Sequence, residues 1–138
     1  MTKQYLPPKR RFGQHFLEET WVKKVVSAIN PTATDLILEI GPGRGALTFP
    51  LAAQVQKIIA IEIDRGLAEA LRLSVTETVE TVQADVLEVD LAAITTGLRT
   101  KIGLIRVVGN LPYNISAPII LRLLRQGHFH EISDATIM

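Results

Sequence analysis

The feature that most constrains the fold is a regular alternation of short apolar runs with segments of helical spacing. Apolar runs of strand length that are continuous indicate strands covered on both faces, as in a parallel sheet. The predicted strands are 36–40, 57–63, 79–83, 105–109 and 134–138, and the helices between them are 46–54, 65–73, about 91–98 and 116–126. This order predicts an α/β fold with a doubly wound, Rossmann-like and mostly parallel sheet, truncated after about the fifth strand.

Cap and turn residues predict where the helices begin and end. An amphipathic helix precedes the first strand and ends at Asn30. Pro50 makes the next helix irregular, because a proline inside a helix loses a hydrogen bond and clashes with the preceding turn. Asp64 is a predicted N-cap of the helix that follows it. Ser116 is a predicted N-cap of the last helix, with Pro118 tolerated in its first turn.

Composition narrows the class of protein. A chain of 138 residues, of which 47% are hydrophobic, can build one domain with a core. The absence of cysteine excludes disulfides, a thiolate nucleophile and a thiolate metal site, and we predict no metal site of another kind. No apolar run approaches the roughly 20 residues of a membrane span, and the N-terminus lacks the apolar segment of a signal peptide. We therefore expect a soluble, cytoplasmic protein without membrane contacts.

The chain stops inside the last predicted strand, without a closing helix. This ending indicates a fragment or a truncated domain. It also predicts that residues 134–138 lie at or near an exposed edge of the sheet, where unpaired backbone groups favour association.

Charge is distributed unevenly along the chain. Lys3, Lys9, Arg10 and Arg11 all precede the first acidic residue, Glu18. The rest of the chain holds 11 basic and 14 acidic residues, a net charge of −3. A basic arm on a mildly acidic body is suited to steering toward a polyanion such as RNA. A solubilising tail has the same composition, so charge alone leaves both interpretations open.

The segment "LEIGPGRGALT" places Gly41, Gly43 and Gly45 between a predicted strand and a predicted helix. Glycine allows positive φ and lets the backbone approach a ligand closely. The spacing is neither that of a phosphate loop, which needs a Lys-Ser or Lys-Thr pair, nor the Gly-x-Gly-x-x-Gly of dinucleotide-binding folds. Because any tight turn also uses glycine, the segment alone is weak evidence for a nucleotide site.

Two acidic residues strengthen that interpretation. Glu62 ends the second predicted strand, 21 residues after Gly41, where a carboxylate accepts hydrogen bonds from ribose hydroxyls. Asp85 follows the third strand and is placed to accept from an adenine amino group. Either acid alone is more often a helix cap or a solvated strand end. Together with the glycine turn they form an ordered series at the carboxyl ends of parallel strands, where open α/β sheets bind ligands.

The segment "VVGNLPYNIS" interrupts a buried strand with an amide, a rigid proline and an aromatic ring before an apolar helix begins. A turn that ends a strand and half-buries a tyrosine needs only some of these residues. Asn110 and Tyr113, on either side of Leu111 and Pro112, therefore indicate a site.

Four segments in order resemble one family. They are "RFGQHFL" (11–17), "LEIGPGRGALT", "IEID" and "VVGNLPYNIS", and together they resemble the S-adenosylmethionine-dependent ribosomal RNA adenine dimethyltransferases over essentially the whole chain. The resemblance implies a class I methyltransferase sheet. It implies a basic N-terminal arm with a cofactor motif at 1–17 and a cofactor-binding domain at 18–138, which lacks the helical C-terminal RNA-binding domain of the family.

The resemblance also implies roles for individual residues. The S-adenosyl-L-methionine cofactor is expected to contact His15, Leu17, Glu39, Gly41, Gly43, Gly45, Glu62, Asp85 and Asn110. Catalysis is expected to involve Asn110, Leu111, Pro112 and Tyr113, and RNA binding Lys9, Arg10 and Arg11. His15 stands where the family has asparagine, so a direct side-chain contact and a plain loop position both remain open there.

The implied chemistry accounts for the amide, the proline and the ring. An adenine amino group is a poor nucleophile because its lone pair is delocalised into the ring. The Asn110 side-chain oxygen and the Leu111 carbonyl would accept its hydrogen bonds, Pro112 would hold that carbonyl rigidly, and Tyr113 would stack on a base taken out of its helix. Positioning of this kind can contribute roughly 7 to 11 kcal/mol.

The implied function is dimethylation of two adjacent adenosines in the 3′-terminal hairpin of small-subunit (16S) ribosomal RNA, by a monomer acting on a small-subunit precursor. Three alternatives remain. One is a large-subunit ribosomal RNA methyltransferase of the kind that confers macrolide resistance. Another is a non-catalytic RNA-binding assembly factor that still binds cofactor. The third, a nicotinamide-dependent dehydrogenase, shares the fold and the ribose acid but gives no reason for the Asn-Leu-Pro-Tyr sequence.

Overall fold

The computed structural model describes residues 18–96, 105–125 and 132–138. Within these ranges, helices and strands alternate along the chain. They are α1 (Glu19–Ile29), β1 (Leu36–Ile40), α2 (Thr48–Ala52), β2 (Lys57–Glu62), α3 (Arg65–Arg72), β3 (Val79–Gln83), α4 (Leu91–Thr95), β4 (Ile105–Gly109), α5 (Tyr113–Arg125) and β5 (Ile132–Ile137). No helix in the described ranges is long and apolar enough to cross a membrane.

The five strands form one parallel sheet in the order β3-β2-β1-β4-β5. The chain builds outward from β1 to β3 and then returns to the other side of β1 for β4 and β5. The strand order therefore reverses between β1 and β4, which is where doubly wound sheets bind their ligands. The predicted Rossmann-like fold class is confirmed.

Both faces of the sheet are covered, which explains the continuous apolar runs. Along β1, Leu36, Leu38 and Ile40 pack into one core cluster and Ile37 packs into the other. The first cluster includes buried residues of α4 and α5, and the second includes those of α1, α2 and α3. Every residue of β1 is buried because it lies between these two layers.

Two predicted helix ends are confirmed. Asn30 ends α1 in the left-handed region, with a φ of 49°. The Asp64 carboxylate caps α3 by accepting a hydrogen bond from the Leu67 N–H at 3.1 Å. Pro50 lies inside α2, which is only five residues long and therefore shorter than the predicted helix over 46–54.

The predicted start of α5 is wrong. The helix begins at Tyr113, so Ser116 is an interior residue, and its hydroxyl donates to the Tyr113 carbonyl at 3.1 Å. The earlier start arises because the Pro112 carbonyl accepts hydrogen bonds from the N–H groups of Ile115 and Ser116, at 3.1 and 3.2 Å. Pro118 consequently lies inside the helix, beyond the first turn in which it was expected.

The last strand lies at the sheet edge, as predicted, although it runs over Ile132–Ile137. Near its start, Arg106 of β4 pairs with Asp134 at 3.0 Å and with Asp35 at 2.7 Å. Burial alone would raise the pKa of Asp35, but hydrogen bonds from Thr32 and Arg106 outweigh it and lower that pKa. This cluster ties the amino ends of β1, β4 and β5 together, at the opposite end of the sheet from the predicted site.

Candidate active site

The predicted site residues form a row along the carboxyl ends of four neighbouring strands. Asp85 follows β3, Glu62 ends β2, the glycine turn follows β1, and Asn110 follows β4. Four strands span three inter-strand spacings, or ~14 Å. The row crosses the switch point between β1 and β4, so the fold brings together residues that lie up to 69 positions apart in sequence.

The glycine turn needs glycine for two separate reasons. Gly41, Gly43 and Gly45 have φ values of 67°, 57° and 85°, in the left-handed region that side chains disfavour. A β-carbon at Gly45 would also lie 2.5 Å from a ring carbon of Phe49, closer than van der Waals contact permits. Glycine therefore lets the turn adopt this conformation without steric strain.

The Glu62 carboxylate is hydrogen-bonded to the glycine turn. It is 3% exposed, and its two oxygens accept hydrogen bonds from the N–H groups of Gly43 and Asp64, each at 2.9 Å. Burial raises the pKa of Glu62, and the hydrogen bonds from Asp64 and Gly43 only partly offset it. A carboxylate offers about four acceptor positions, so these hydrogen bonds do not exhaust it.

A second buried acid lies under the same turn. Glu39, in the middle of β1, accepts a hydrogen bond from the Thr48 hydroxyl at 2.7 Å, and both side chains are buried. The pKa of Glu39 is raised to about 7: burial has the largest effect, the Thr48 hydrogen bond opposes it, and the nearby Glu62 charge adds to it. The pair joins β1 to α2 across the glycine turn.

This raised pKa predicts the stability of a Glu39→Gln variant. Between the unfolded pKa, near 4.5, and the folded value of about 7, the unfolded chain releases the proton more readily than the folded chain does. The free energy of unfolding of the parent protein therefore falls as pH rises through this range. Glutamine keeps an acceptor for Thr48 and never ionises. Chemical denaturation should therefore show a gain in unfolding free energy that is about 2 to 3 kcal/mol larger at pH 8 than at pH 5.

The control for that measurement is Glu80→Gln, because Glu80 is exposed on β3. Its effect on stability should be equally small at both pH values. The same gain for Glu39→Gln at pH 5 and pH 8 would show that the buried acid does not titrate between them.

Asp85 shapes the loop after β3. One of its carboxylate oxygens accepts a hydrogen bond from the Leu87 N–H at 2.8 Å, and its carbonyl accepts from the N–H groups of Glu88 and Val89. Within the described parts of the chain, the other carboxylate oxygen has no hydrogen-bond partner. The half-buried carboxylate can therefore accept one donor from a ligand in the row.

The Asn-Leu-Pro-Tyr segment is tied into the sheet at Leu111 and is exposed at Tyr113. The Leu111 N–H donates to the Met138 carbonyl at 2.9 Å, and the Leu111 side chain is buried. No donor from the described residues pairs with the Leu111 carbonyl oxygen. Tyr113, at the start of α5, is 88% exposed.

The glycine turn and the Asn-Leu-Pro-Tyr segment lie against each other. A β-carbon at Gly41 would lie 3.6 Å from a Leu111 methyl and 3.9 Å from the Asn110 carbonyl oxygen. At Gly109, a β-carbon would lie 3.0 Å from the Ile40 carbonyl, so these strand ends require glycine to come this close. A molecule bound on the glycine turn would thus lie beside Asn110.

Some predicted site residues cannot be compared with the structure. Lys9, Arg10, Arg11, His15 and Leu17 lie outside the described residues. Their roles stay predictions.

The sequence analysis missed two residues that contact the site's loops. Thr48 supports the glycine turn through Glu39, and Arg122 of α5 donates to the Leu87 and Val89 carbonyls in the Asp85 loop. A signal was present for Arg122, since it lies among the apolar residues of α5, three positions after buried Ile119 and one before buried Leu123. A polar residue at such a position needs an internal partner.

The strand order defines a Rossmann-like α/β domain, with the row of candidate residues at its switch point. Comparison with known families matches residues 7–138 to the ribosomal RNA adenine dimethylase family. The chain belongs to this family, which confirms the resemblance seen in its four segments.

Curated relatives carry a more specific name. The chain is 45% identical over 132 residues to a ribosomal RNA small subunit methyltransferase A of Bordetella pertussis, covering 94% of this chain and 46% of the relative. It is 43% identical over 129 residues to the protein of that name in Coxiella burnetii, covering 91% of this chain and 48% of the relative. The chain thus spans about half the length of the curated relatives it matches.

A solved structure supports the fold. The 23S rRNA methyltransferase ErmE matches with a TM-score of 0.71 and 27% sequence identity, over 90% of this chain and 47% of that one. The match extends over most of this chain, so the two proteins share this fold.

Proposed function

We propose that this chain is the catalytic part of an enzyme that transfers methyl groups from S-adenosylmethionine to the amino groups of two adjacent adenosines. The substrate is the 3′-terminal hairpin of small-subunit (16S) ribosomal RNA, in a cytoplasmic precursor of the small subunit, and the enzyme acts as a monomer. The observation that carries this proposal is the contact between the glycine turn and Asn110–Leu111. It would place a cofactor beside acceptors suited to an amino group.

The donor set of the row fits this cofactor. Glu62 retains acceptor capacity for the ribose hydroxyls, and Asp85 retains one oxygen for the adenine amino group. Gly41 is exposed in the glycine turn, where the remainder of the molecule would lie. Glu39 and Glu62 are two buried acids with raised pKa values, and a cationic ligand nearby favours their ionised forms. When bound, S-adenosylmethionine supplies a methyl group already activated as a sulfonium.

The chain's own residues orient the target base. The Asn110 side-chain oxygen and the Leu111 carbonyl oxygen accept hydrogen bonds from the adenine amino group, which turns its lone pair toward the methyl donor. Pro112, whose φ is restricted, fixes the Leu111 carbonyl in place. The exposed ring of Tyr113 offers a surface on which the extruded adenine stacks. No residue with a specially tuned pKa is needed, because orientation and complementary charge lower the barrier.

The names of the relatives favour the small subunit as the source of the RNA. The proteins from Bordetella pertussis and Coxiella burnetii are 45% and 43% identical to this chain, whereas ErmE is 27% identical. Transfer to large-subunit RNA is therefore the second candidate. Family membership favours methyl transfer over the hydride transfer of a nicotinamide-dependent dehydrogenase.

Residues outside the described ranges complete the proposal. We assign residues 1–17 to a basic arm in which Lys9, Arg10 and Arg11 contact RNA phosphates and His15 and Leu17 border the cofactor. Four basic residues and no acidic ones in this segment support the RNA contact. Residues 18–138 form the cofactor domain. A helical RNA-binding domain, implied by the family resemblance, would supply further contacts to the RNA.

The experiment that tests this function has two measurements. Calorimetric titration of the 138-residue chain with S-adenosylmethionine should show binding, and radiolabelled S-adenosylmethionine should label a small-subunit 3′-terminal hairpin RNA. A hairpin with inosine at the two adenosines is the control, because it lacks the amino groups and should take up no label. Absence of cofactor binding would contradict the proposal. Binding without labelling would favour the non-catalytic assembly factor.

A further inference from the structure

Arg122 links helix α5 to the loop that carries Asp85. Its Nη1 and Nη2 atoms donate to the carbonyl oxygens of Leu87 and Val89, 35 and 33 residues earlier in the chain. Its Nε is buried and has no hydrogen-bond partner among the described residues. The planar guanidinium therefore lies against the loop, with both terminal nitrogens used by it.

The loop depends on the hydrogen bonds from Arg122 because its N–H groups are already bonded within the loop. The N–H groups of Leu87, Glu88 and Val89 all donate to Asp85, to its carboxylate or its carbonyl, at 2.8 to 3.0 Å. The carbonyls of Leu87 and Val89 face α5 instead, where Arg122 meets them. Without the guanidinium, two partly buried carbonyls would lose their partner, which favours a different loop conformation.

The same helix begins at the proposed base site. Tyr113 is the first residue of α5, and nine residues at 1.5 Å each place Arg122 ~13.5 Å further along the helix axis. Helix α5 therefore contacts the target base at one end and holds the Asp85 loop through Arg122.

We propose that Arg122 is a positioning residue: it fixes the Asp85 carboxylate relative to α5 and so sets the affinity for the adenosine half of the cofactor. This inference rests on the proposed function, because it takes Asp85 as the acceptor for the adenine amino group. Contact with RNA phosphate does not explain Arg122, since its terminal nitrogens are engaged inside the protein. A lysine cannot reproduce the two-pronged contact.

The test measures binding of S-adenosylhomocysteine, which cannot donate a methyl group, to variants of the 138-residue chain. Arg122→Met keeps the length of the side chain and removes its donors, and should weaken binding about tenfold. Arg125→Met is the matched control, because Arg125 is exposed on the same helix and its loss changes the net charge equally. It should leave the affinity unchanged. Arg122→Lys should restore part of the loss, and it carries the test if Arg122→Met does not fold.

A double variant separates positioning from general stability. If Arg122 acts through Asp85, Asp85→Asn should weaken binding by a similar factor, and adding the Arg122 substitution should cost less than a further twofold. The inference would be overturned if the double variant lost affinity by the product of the two single-variant factors. It would also be overturned if the Arg122 variant bound S-adenosylhomocysteine like the parent. Failure of the parent chain to bind S-adenosylhomocysteine would instead contradict the proposed function, and this inference with it.

Discussion

Replacing Asn110 with alanine is expected to reduce methyl transfer to the hairpin RNA by about 10²- to 10³-fold, the loss seen when one positioned polar group that stabilises a transition state is removed. The affinity for S-adenosylmethionine should change little. The reason is that the Asn110 side-chain oxygen is proposed to act on the amino group of the target adenine, while Glu62 and Asp85 are proposed to make most of the polar contacts to the cofactor. Single-turnover labelling of the hairpin measures the rate, and calorimetry measures the affinity.

Asn114→Ala is the matched control for this prediction, because Asn114 is an exposed amide in the first turn of α5, four residues after Asn110. It should transfer methyl groups at the parent rate. Equal losses of rate and affinity in Asn110→Ala would contradict the assigned role and point to damage of the whole pocket.

Replacing Glu62 with alanine is expected to have the opposite pattern, with cofactor binding lost first. The substitution removes the proposed acceptor for two ribose hydroxyls, and hydrogen bonds to a charged group contribute roughly 1.5 to 3 kcal/mol each. It also leaves the Gly43 and Asp64 N–H groups without the partner that holds the glycine turn in place. Together these effects should weaken binding of S-adenosylmethionine by at least about 100-fold in a calorimetric titration.

Glu80→Ala provides the comparison, since it removes an exposed carboxylate from the neighbouring strand β3. Its cofactor affinity should equal that of the parent. Glu62→Gln should bind with intermediate affinity, because the amide oxygen still accepts hydrogen bonds while the charge is gone. A folded Glu62→Ala chain that binds like the parent would rule out the ribose contact.

Much of the fold could be predicted because the local pattern and the tertiary environment agree. The predicted bounds of β1, β3 and β4 match the structure, and those of β2 extend one residue beyond it. Strands β1, β2 and β4 are mostly apolar because helices cover both faces of the sheet there, whereas the edge strand β3 is exposed at Glu80 and Gln83. The ends of parallel strands meet at one edge, so the glycine turn, Glu62 and Asp85 could be placed together from their positions alone.

Other features depend on contacts that sequence patterns do not encode. Serine is a favoured N-cap residue, yet hydrogen bonds to the Pro112 carbonyl make α5 begin three residues before Ser116. Thr48 ends the glycine segment and Arg122 lies among the apolar residues of α5, but their importance comes from a buried carboxylate and two loop carbonyls brought to them by folding.

The sequence by itself determined the class of fold, the family and the residue types available for chemistry at the strand ends. Propensity, hydrophobic period and glycine conformation act over a few neighbouring residues, so they can be recognised without the rest of the chain. Only the tertiary structure decided which distant groups share hydrogen bonds. Glu39 with Thr48, Glu62 with Gly43, and Arg122 with the Asp85 loop are paired by the packing of helices on the sheet, because a buried polar group must find whichever partner the fold places within reach.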